Sequence, residues 1–354
     1  AEAEKKVAYE IRRAKKVYPS NKIIVTGCAA QIDPEKYKKI YEVDKVIGNT
    51  EKLQLQTWKK LNFLKKVNVG NILEEDSTVS SSIEKFEGKS RAYIEIQQGC
   101  DHRCTFCIIP YGRGNNRSVP VGLVVERIKT LVNNGYNEVV LTGVDITDYG
   151  NDLPGKPNLF QLVKRILNLI PNLKQLRLSS IDCAEISDDF WPLLEEKRLM
   201  PHFHLSLQAG NDLVLKRMKR RHNRKQVIDF VKKVRSLRKD VALGADIIAG
   251  FPTESEDMFR DSINLIKECK ITHLHVFPYS KRENTPAARM PQTPKDIIKN
   301  RAKLLRNEGE KQMKNYLDKQ IGSSALVLVE QNKENFSYGK SQHFTKIKIK
   351  KKIA

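Results

Sequence analysis

The 354-residue sequence has no apolar run long enough to span a bilayer, and nothing that reads as a secretory signal precedes its first folded segment. No membrane is therefore expected as a partner. Cysteine is scarce: the six present do not read as the framework of a secreted protein. No internal repeat is visible, which sets solenoid architectures aside. Acidic residues fall short of basic ones, 42 against 64, for a formal net charge of +22. A surplus that large favours polyanionic partners, nucleic acid above all, although a lysine-rich surface can also be merely solvated. The chain opens Ala-Glu-Ala-Glu-Lys-Lys without Met, already inside an apparent helix. That opening is expected of a fragment or a misplaced start.

What cysteine there is concentrates in one stretch, Gln98-Gly-Cys-Asp-His-Arg-Cys-Thr-Phe-Cys-Ile-Ile-Pro-Tyr-Gly-Arg-Gly114. Cys100, Cys104 and Cys107 stand at C-x-x-x-C-x-x-C spacing within eight residues. An odd number of thiols leaves one unpaired in any disulfide scheme. Tetrahedral zinc asks for four ligands, and no fourth cysteine or histidine stands at a suitable spacing, His102 lying inside the loop. Thiolates are the ordinary ligands of iron–sulfur clusters. Three of them on a four-iron cubane leave one iron open to an exogenous chelate. The competing reading, three unrelated buried cysteines, does not account for the spacing.

The length allows about two or three domains. Residues 1–75 read as a small α/β unit, with a helix over Glu4–Tyr18, a strand over Lys22–Thr26, helical character over Pro34–Tyr41, a second strand over Val43–Gly48 and a further helix near Glu51–Leu61. Residues 76–90 are polar and Ser-rich, the best linker in the chain. From 91 to 318, β-branched runs at Tyr93–Ile96, Glu138–Leu141, Leu176–Ser179, His202–Leu207, Leu243–Ile248 and Leu274–Phe277 alternate with helical segments. Thr253 with Glu256 suggests a capping box for the helix that follows. This alternation predicts an α/β fold, a partial (β/α)6 barrel, with the cysteine loop after its first strand. Chemistry in such barrels sits at the C-terminal strand ends. Residues 319–354 read as a small antiparallel β-barrel with strands at Ser323–Glu330 and His343–Lys350, ending in lysines that suit phosphate contact.

Several strand ends carry small or polar residues where a buried strand would simply continue. They are Gly143 in Leu-Thr-Gly-Val-Asp145, Ser206 and Gln208, which alternate on one strand face, and Asp246 in Gly-Ala-Asp-Ile-Ile-Ala-Gly250. A carboxylate on a barrel strand is costly unless paired or facing a ligand. Cys28, Cys183 and Cys269, taken alone, read as small buried hydrophobes. His202, His204, His273 and His275 read as structural.

Together these stretches resemble the radical S-adenosylmethionine (SAM) methylthiotransferases over nearly the whole chain. The resemblance rests on "VTGCAAQ" and "VIGNTEK" early on, then "GCDHRCTFCIIPYGRG", "VVLTGVDITDYG", "LRLSSID", "HLSLQAGNDLVLKRMKRRH" and "GADIIAGFPTE", and finally "LHVFPYSKRENTPAARMP". It is strongest to the branch acting on N6-threonylcarbamoyladenosine beside the anticodon of tRNA. The resemblance implies a [4Fe-4S] cluster on Cys100, Cys104 and Cys107 that binds SAM and cleaves it to a 5′-deoxyadenosyl radical. It also implies SAM contacts at Phe106 (packing on the adenine), Gly143, Ser206, Gln208 and Asp246, the last standing where the family's motif has glycine. Cys28 would be one of three ligands of a second cluster that supplies sulfur, the others lying upstream of Ala1. Glu283-Asn-Thr285 departs from the glycine usual before that threonine. An electron donor, a TRAM-type RNA-binding C-terminus, and a reducing, cytoplasmic compartment are implied too. Other branches act on isopentenyladenosine tRNA or a ribosomal-protein aspartate. A truncated, inactive RNA-binding protein is the reading from a different class.

Overall fold

The computed structural model describes residues 2–76 and 86–350. Two compact units make up the chain: residues 1–81 with 98–103 and 107–118, and residues 82–97 with 104–106 and 119–354. Most of the Ser-rich linker falls on 77–85, outside the described residues.

In the first unit, short parallel strands β1 (Ile24–Val25), β2 (Lys45–Ile47) and β3 (Val67–Asn68) form one sheet in that order. The amphipathic helix Glu2–Val17 contributes Ile11 to a core with Val25, Ala30, Tyr37, Val43 and Val46. Asp33 caps helix Pro34–Lys38, its side chain accepting from the Lys36 N–H while Pro34 takes the first turn. The helix expected near Glu51–Leu61 breaks into Glu51–Leu53, Leu55–Lys59 and Leu61–Phe63, because Gln54 is extended and Lys60, with ψ 16°, leaves the helical region. Two-residue strands such as β3 carry too little alternation to be seen in sequence.

In the second unit the barrel strands are β4 (Arg91–Gln98), β6 (Glu138–Gly143), β7 (Gln175–Leu178) continued by β8 (Ser180–Ile181), β9 (His202–Gln208), β10 (Ala242–Ala249) and β11 (His273–Pro278). The two-residue β5 (Arg117–Ser118) belongs to the first unit. Every pairing along β4-β6-β7 and β8-β9-β10-β11 is parallel, and among the described residues β11 is an edge. Alternate residues sort by face. Phe203, Leu205 and Leu207 enter the core beneath the helices, as do Leu243, Ala245 and Ile247, and Leu274 and Val276 pack against it. The intervening residues, among them His204, Ser206, Asp246 and His275, take the other, inner face.

Helix starts are chemically marked. Asn158 and Asn223 each form a capping box, with Gln161 and Gln226 respectively. For helix Glu256–Glu268, Ser255 accepts from the Met258 N–H, which corrects the box expected at Thr253. That threonine adopts a left-handed φ of 67° and lies outside the helix.

The long helix Lys295–Asp318 leads to an antiparallel sheet of β12 (Val327–Lys333), β13 (Phe336–Ser341) and β14 (Lys346–Ile349). The mixed polar run of β13 concealed it in the sequence. Residues 351–354, with the last lysines of the basic tail, lie outside the described residues. Next to the N-terminal strand ends, Glu138 is fully buried and accepts from Arg91 Nε at 2.5 Å and Arg177 Nη2 at 3.0 Å. Arg91 also pairs with Glu330 of β12. Both guanidinium groups lie over the Phe344 ring, at 5.3 and 5.0 Å from its centre. The His202 ring stacks on it at 5.4 Å.

Candidate active site

The cysteine loop is shared between the units: Cys100 and Cys107 go with the first, Cys104 with the second. In the first unit the loop folds on its own backbone. Gly99 has φ +72° and sits where a Cβ would come within 1.7 Å of the Asn115 carbonyl oxygen, so only glycine fits. The Cys100 N–H donates to Gly114 O at 3.1 Å, and Asp101 accepts from the Asn116 N–H at 2.9 Å. Arg103 holds the Cys100 carbonyl at 2.8 Å and Asn115 Oδ1 at 2.7 Å. The Ile109 N–H points at Cys107 Sγ, 3.5 Å away.

In the second unit, Thr105 is pinned through its N–H to Met218 O and through its hydroxyl to Arg217 O. That fixes Phe106, which meets Phe251 edge-on at 6.4 Å in an apolar cluster with Ala209 and Ile248. Arg220 Nη1 donates to Cys104 Sγ at 3.6 Å, while Nη2 donates to Asp182 Oδ2 at 2.5 Å and to the Ser206 carbonyl at 2.7 Å. Its buried Nε has no partner among the described residues. Burial alone would raise the Asp182 carboxyl, but the hydrogen bond from His222 and the charge of Arg220 hold it down at about 2. In the sequence Arg220 and His222 stand out only as part of the run "HLSLQAGNDLVLKRMKRRH". Their pairing with Asp182 spans about forty residues, so no local spacing signals it.

The strand-end residues fall as follows. Gly143 allows close approach: a Cβ there would meet Gln97 O, Gln97 Oε1 and Ile146 Cγ2, each at 2.8 Å. The Gln97 amide oxygen in turn accepts from the Asp145 N–H at 2.8 Å. Gln208 closes β9 with φ 69°, a left-handed conformation that glutamine adopts at a cost. Asp246 Oδ1 takes the His204 Nε2–H at 2.8 Å and lies 3.2 Å from His275 Nδ1. In the first unit, Cys28 opens helix Cys28–Ile32, and its Sγ accepts from Arg113 Nε at 3.0 Å and faces Asn49 Nδ2 at 3.9 Å. Gly112 makes that approach possible, since a Cβ on it would stand 3.0 Å from Cys28 Cβ. Burial pushes the other thiols up, Cys183 to about 12 and Cys269 to about 11, so both stay protonated.

Residues 94–266 match the family model of the radical SAM superfamily. The chain is 51% identical over 353 residues to the threonylcarbamoyladenosine tRNA methylthiotransferase MtaB of Rickettsia prowazekii (strain Madrid E), covering 99% of this chain and 82% of that protein. The chain belongs to the threonylcarbamoyladenosine tRNA methylthiotransferase family. The family's protein from Aquifex aeolicus (strain VF5) is 36% identical, over 90% of this chain and 78% of that one. Among solved structures, the radical SAM methyltransferase TsrM from Kitasatospora setae shares the fold with a TM-score of 0.60 at 14% identity, over 79% of this chain and 59% of that chain.

The donor chemistry of the three cysteines suits the family's cluster. Cys100, Cys104 and Cys107 are free thiols of intermediate burial, Cys104 has a guanidinium donor and Cys107 a backbone donor. A second cluster finds less: Cys28 is one thiol, and one thiol is not a ligand set for a cubane. Among the described residues no helix is long and apolar enough to cross a membrane.

Proposed function

We infer that this chain is a radical SAM tRNA methylthiotransferase that adds a methylthio group to C2 of N6-threonylcarbamoyladenosine next to the anticodon. The observation that carries the reading is the near-full-length identity to a protein of that name, with the cysteine run intact. Cys100, Cys104 and Cys107 would hold the [4Fe-4S] cluster. When bound, cluster and SAM supply hydrogen abstraction from the adenine ring.

The chain's own residues have separate tasks. Arg220 fixes Cys104 against Asp182, and its spare Nε is a donor for an anionic ligand. Phe106 and Phe251 offer an apolar wall to an adenine. Gly143, Ser206 and Gln208 border the inner face at the strand ends, where SAM would be oriented. The +22 charge and the antiparallel C-terminal sheet, read as TRAM-like, would hold tRNA. Cys28 is assigned to the sulfur-donating second cluster, and no step is derived through it. An electron donor and a reducing, cytoplasmic compartment complete the reading.

After anaerobic reconstitution and reduction, the protein should cleave SAM to 5′-deoxyadenosine, faster with stem-loop RNA bearing threonylcarbamoyladenosine. Stem-loops with isopentenyladenosine, and the ribosomal-protein aspartate, should give no stimulation. Absence of 5′-deoxyadenosine, or stimulation by one of those alternatives alone, would overturn the assignment.

A further inference from the structure

On the inner face of the half-barrel, three side chains from adjacent strands converge outside the cysteine site. His204 of β9, Asp246 of β10 and His275 of β11 bring their ligand atoms within 4.8 Å of one another. Gly244 is what lets them meet, because a Cβ there would stand 2.3 Å from His204 Nδ1. The His204 imidazole therefore lies against the β10 backbone and reaches Asp246. Both imidazoles address the same oxygen, Oδ1, and Oδ2 takes no bond from any described residue. The two rings are 4.6 Å apart and tilted.

A core has no use for such a group, since polar side chains with spare bonding capacity are costly inside a barrel. The cluster is also open on one side. The His275 side chain is 62% exposed on the edge strand. Phe277, two residues further along the same face, is 51% exposed. An exposed ring beside a polar cluster is what a nucleobase with a polar substituent needs: a stacking surface and hydrogen bonds. The height fits as well. His204 is two residues, about 7 Å, below Ser206, whose carbonyl holds the arginine that touches Cys104.

We propose that His204, Asp246 and His275 form a subsite that reads the threonylcarbamoyl substituent of the substrate adenosine, with Phe277 stacking on its base. The inference rests on the substrate reading above. A threonylcarbamoyl group presents ureido N–H donors, a hydroxyl and a carboxylate. Asp246 Oδ2 accepts from the N–H groups and the exposed His275 ring donates to the carboxylate or hydroxyl, while His204 holds Asp246 in place. An isopentenyl group offers none of these, and would leave the carboxylate and the His275 ring facing hydrocarbon. Sites that hydrogen-bond one substituent reject an analogue lacking it for that reason. These are specificity-determining residues and take no part in the bond-breaking step.

The test measures equilibrium binding by fluorescence anisotropy. It uses the reconstituted protein and three stem-loop RNAs identical except for one adenosine: unmodified, threonylcarbamoylated or isopentenylated. Wild type should prefer the threonylcarbamoyl RNA by about tenfold over both others. His275→Leu, at an exposed position, and Asp246→Asn, isosteric, should each cut that preference to about threefold or less. The melting temperature of His275→Leu and its affinity for unmodified RNA should stay at wild-type values. An unchanged preference in both variants would overturn the subsite. So would stoichiometric zinc in the wild type that both variants lose, because the cluster would then be a metal site. A wild type that fails to prefer the threonylcarbamoyl RNA would instead overturn the substrate reading itself, and with it the subsite.

Discussion

At the N-terminal end of the half-barrel strands, a buried carboxylate, Glu138, is gripped by Arg91 and Arg177. At the C-terminal end another, Asp182, is gripped by Arg220 and His222. The pairs look alike in chemistry and differ in what covers them. The lower arginines are roofed by the Phe344 ring, carried on the C-terminal segment. The upper one reaches a cysteine sulfur instead of a ring. Each network keeps one buried N–H with no partner among the described residues, Arg91 Nη2 below and Arg220 Nε above, so the contrast lies in what the arginines touch. A charge network closed by the protein's own aromatic ring stabilises the fold. One whose arginine touches a thiol is arranged for a ligand. The same residue types thus separate a floor from a working face.

The largest way to sharpen that contrast is Cys104→Ala. It should abolish 5′-deoxyadenosine formation and bleach the cluster's visible absorbance, while the urea midpoint stays near wild type, since the thiol is half-buried. Retained SAM cleavage would sink the cluster assignment. Glu138→Gln attacks the other end and should do the reverse. Removing one member of a buried ion network costs about 3–5 kcal/mol, read as a lower urea midpoint, with SAM cleavage per folded molecule unchanged at low temperature. Lost cleavage in the folded variant would erase the distinction between the two ends.

Phe344→Ala comes next, at about 2 kcal/mol, from the lost packing and cation–π contacts of a partly buried ring. A cost near zero would show that the ring does not close the floor. Arg220→Lys should cost less stability, because it keeps the charge, and yet weaken SAM binding, because it loses the fork that spans Cys104, Asp182 and Ser206. Isothermal titration with SAM on the reconstituted protein checks this, and wild-type affinity would count against that role.

The effect smallest at neutral pH belongs to the floor imidazoles. Burial, then the neighbouring His204 and His275, hold His273 down at about 4, against about 6.5 in an unfolded chain. Between those values the unfolded chain binds the extra proton. Stability is therefore complete above pH about 6.5 and falls as the pH drops towards 4. His202, lowered well below its ordinary value mainly by burial, adds in the same direction. Asp182 works at the other end of the barrel and only in stronger acid, where stability is lost as its carboxyl protonates between about 4 and about 2. His273→Gln should flatten the slope above pH 4, and an unchanged slope would assign it elsewhere.

Much of this architecture was legible in one dimension. The six barrel strands were read within a residue or two, because β-branched runs bounded by helices are a local signal. Helix Arg224–Leu237 emerged with its expected ends. The capping reading failed at Thr253, where a left-handed backbone moved the helix start to Ser255. The Arg220–Asp182 grip, the Phe344 roof and the His204–Asp246–His275 cluster were invisible, each joining residues that are distant in sequence.

What the sequence determined by itself was the spacing of the thiols and the layer order. Three thiols at C-x-x-x-C-x-x-C spacing and alternating strand and helix periods follow from near-neighbour geometry, which the chain carries locally. What only the tertiary structure decided was which polar side chains face one another. Hydrogen bonds act over about 3 Å, and which residues come that close depends on strand register and on glycines such as Gly244 that leave room between strands. Those distances exist only once the strands have packed around their core.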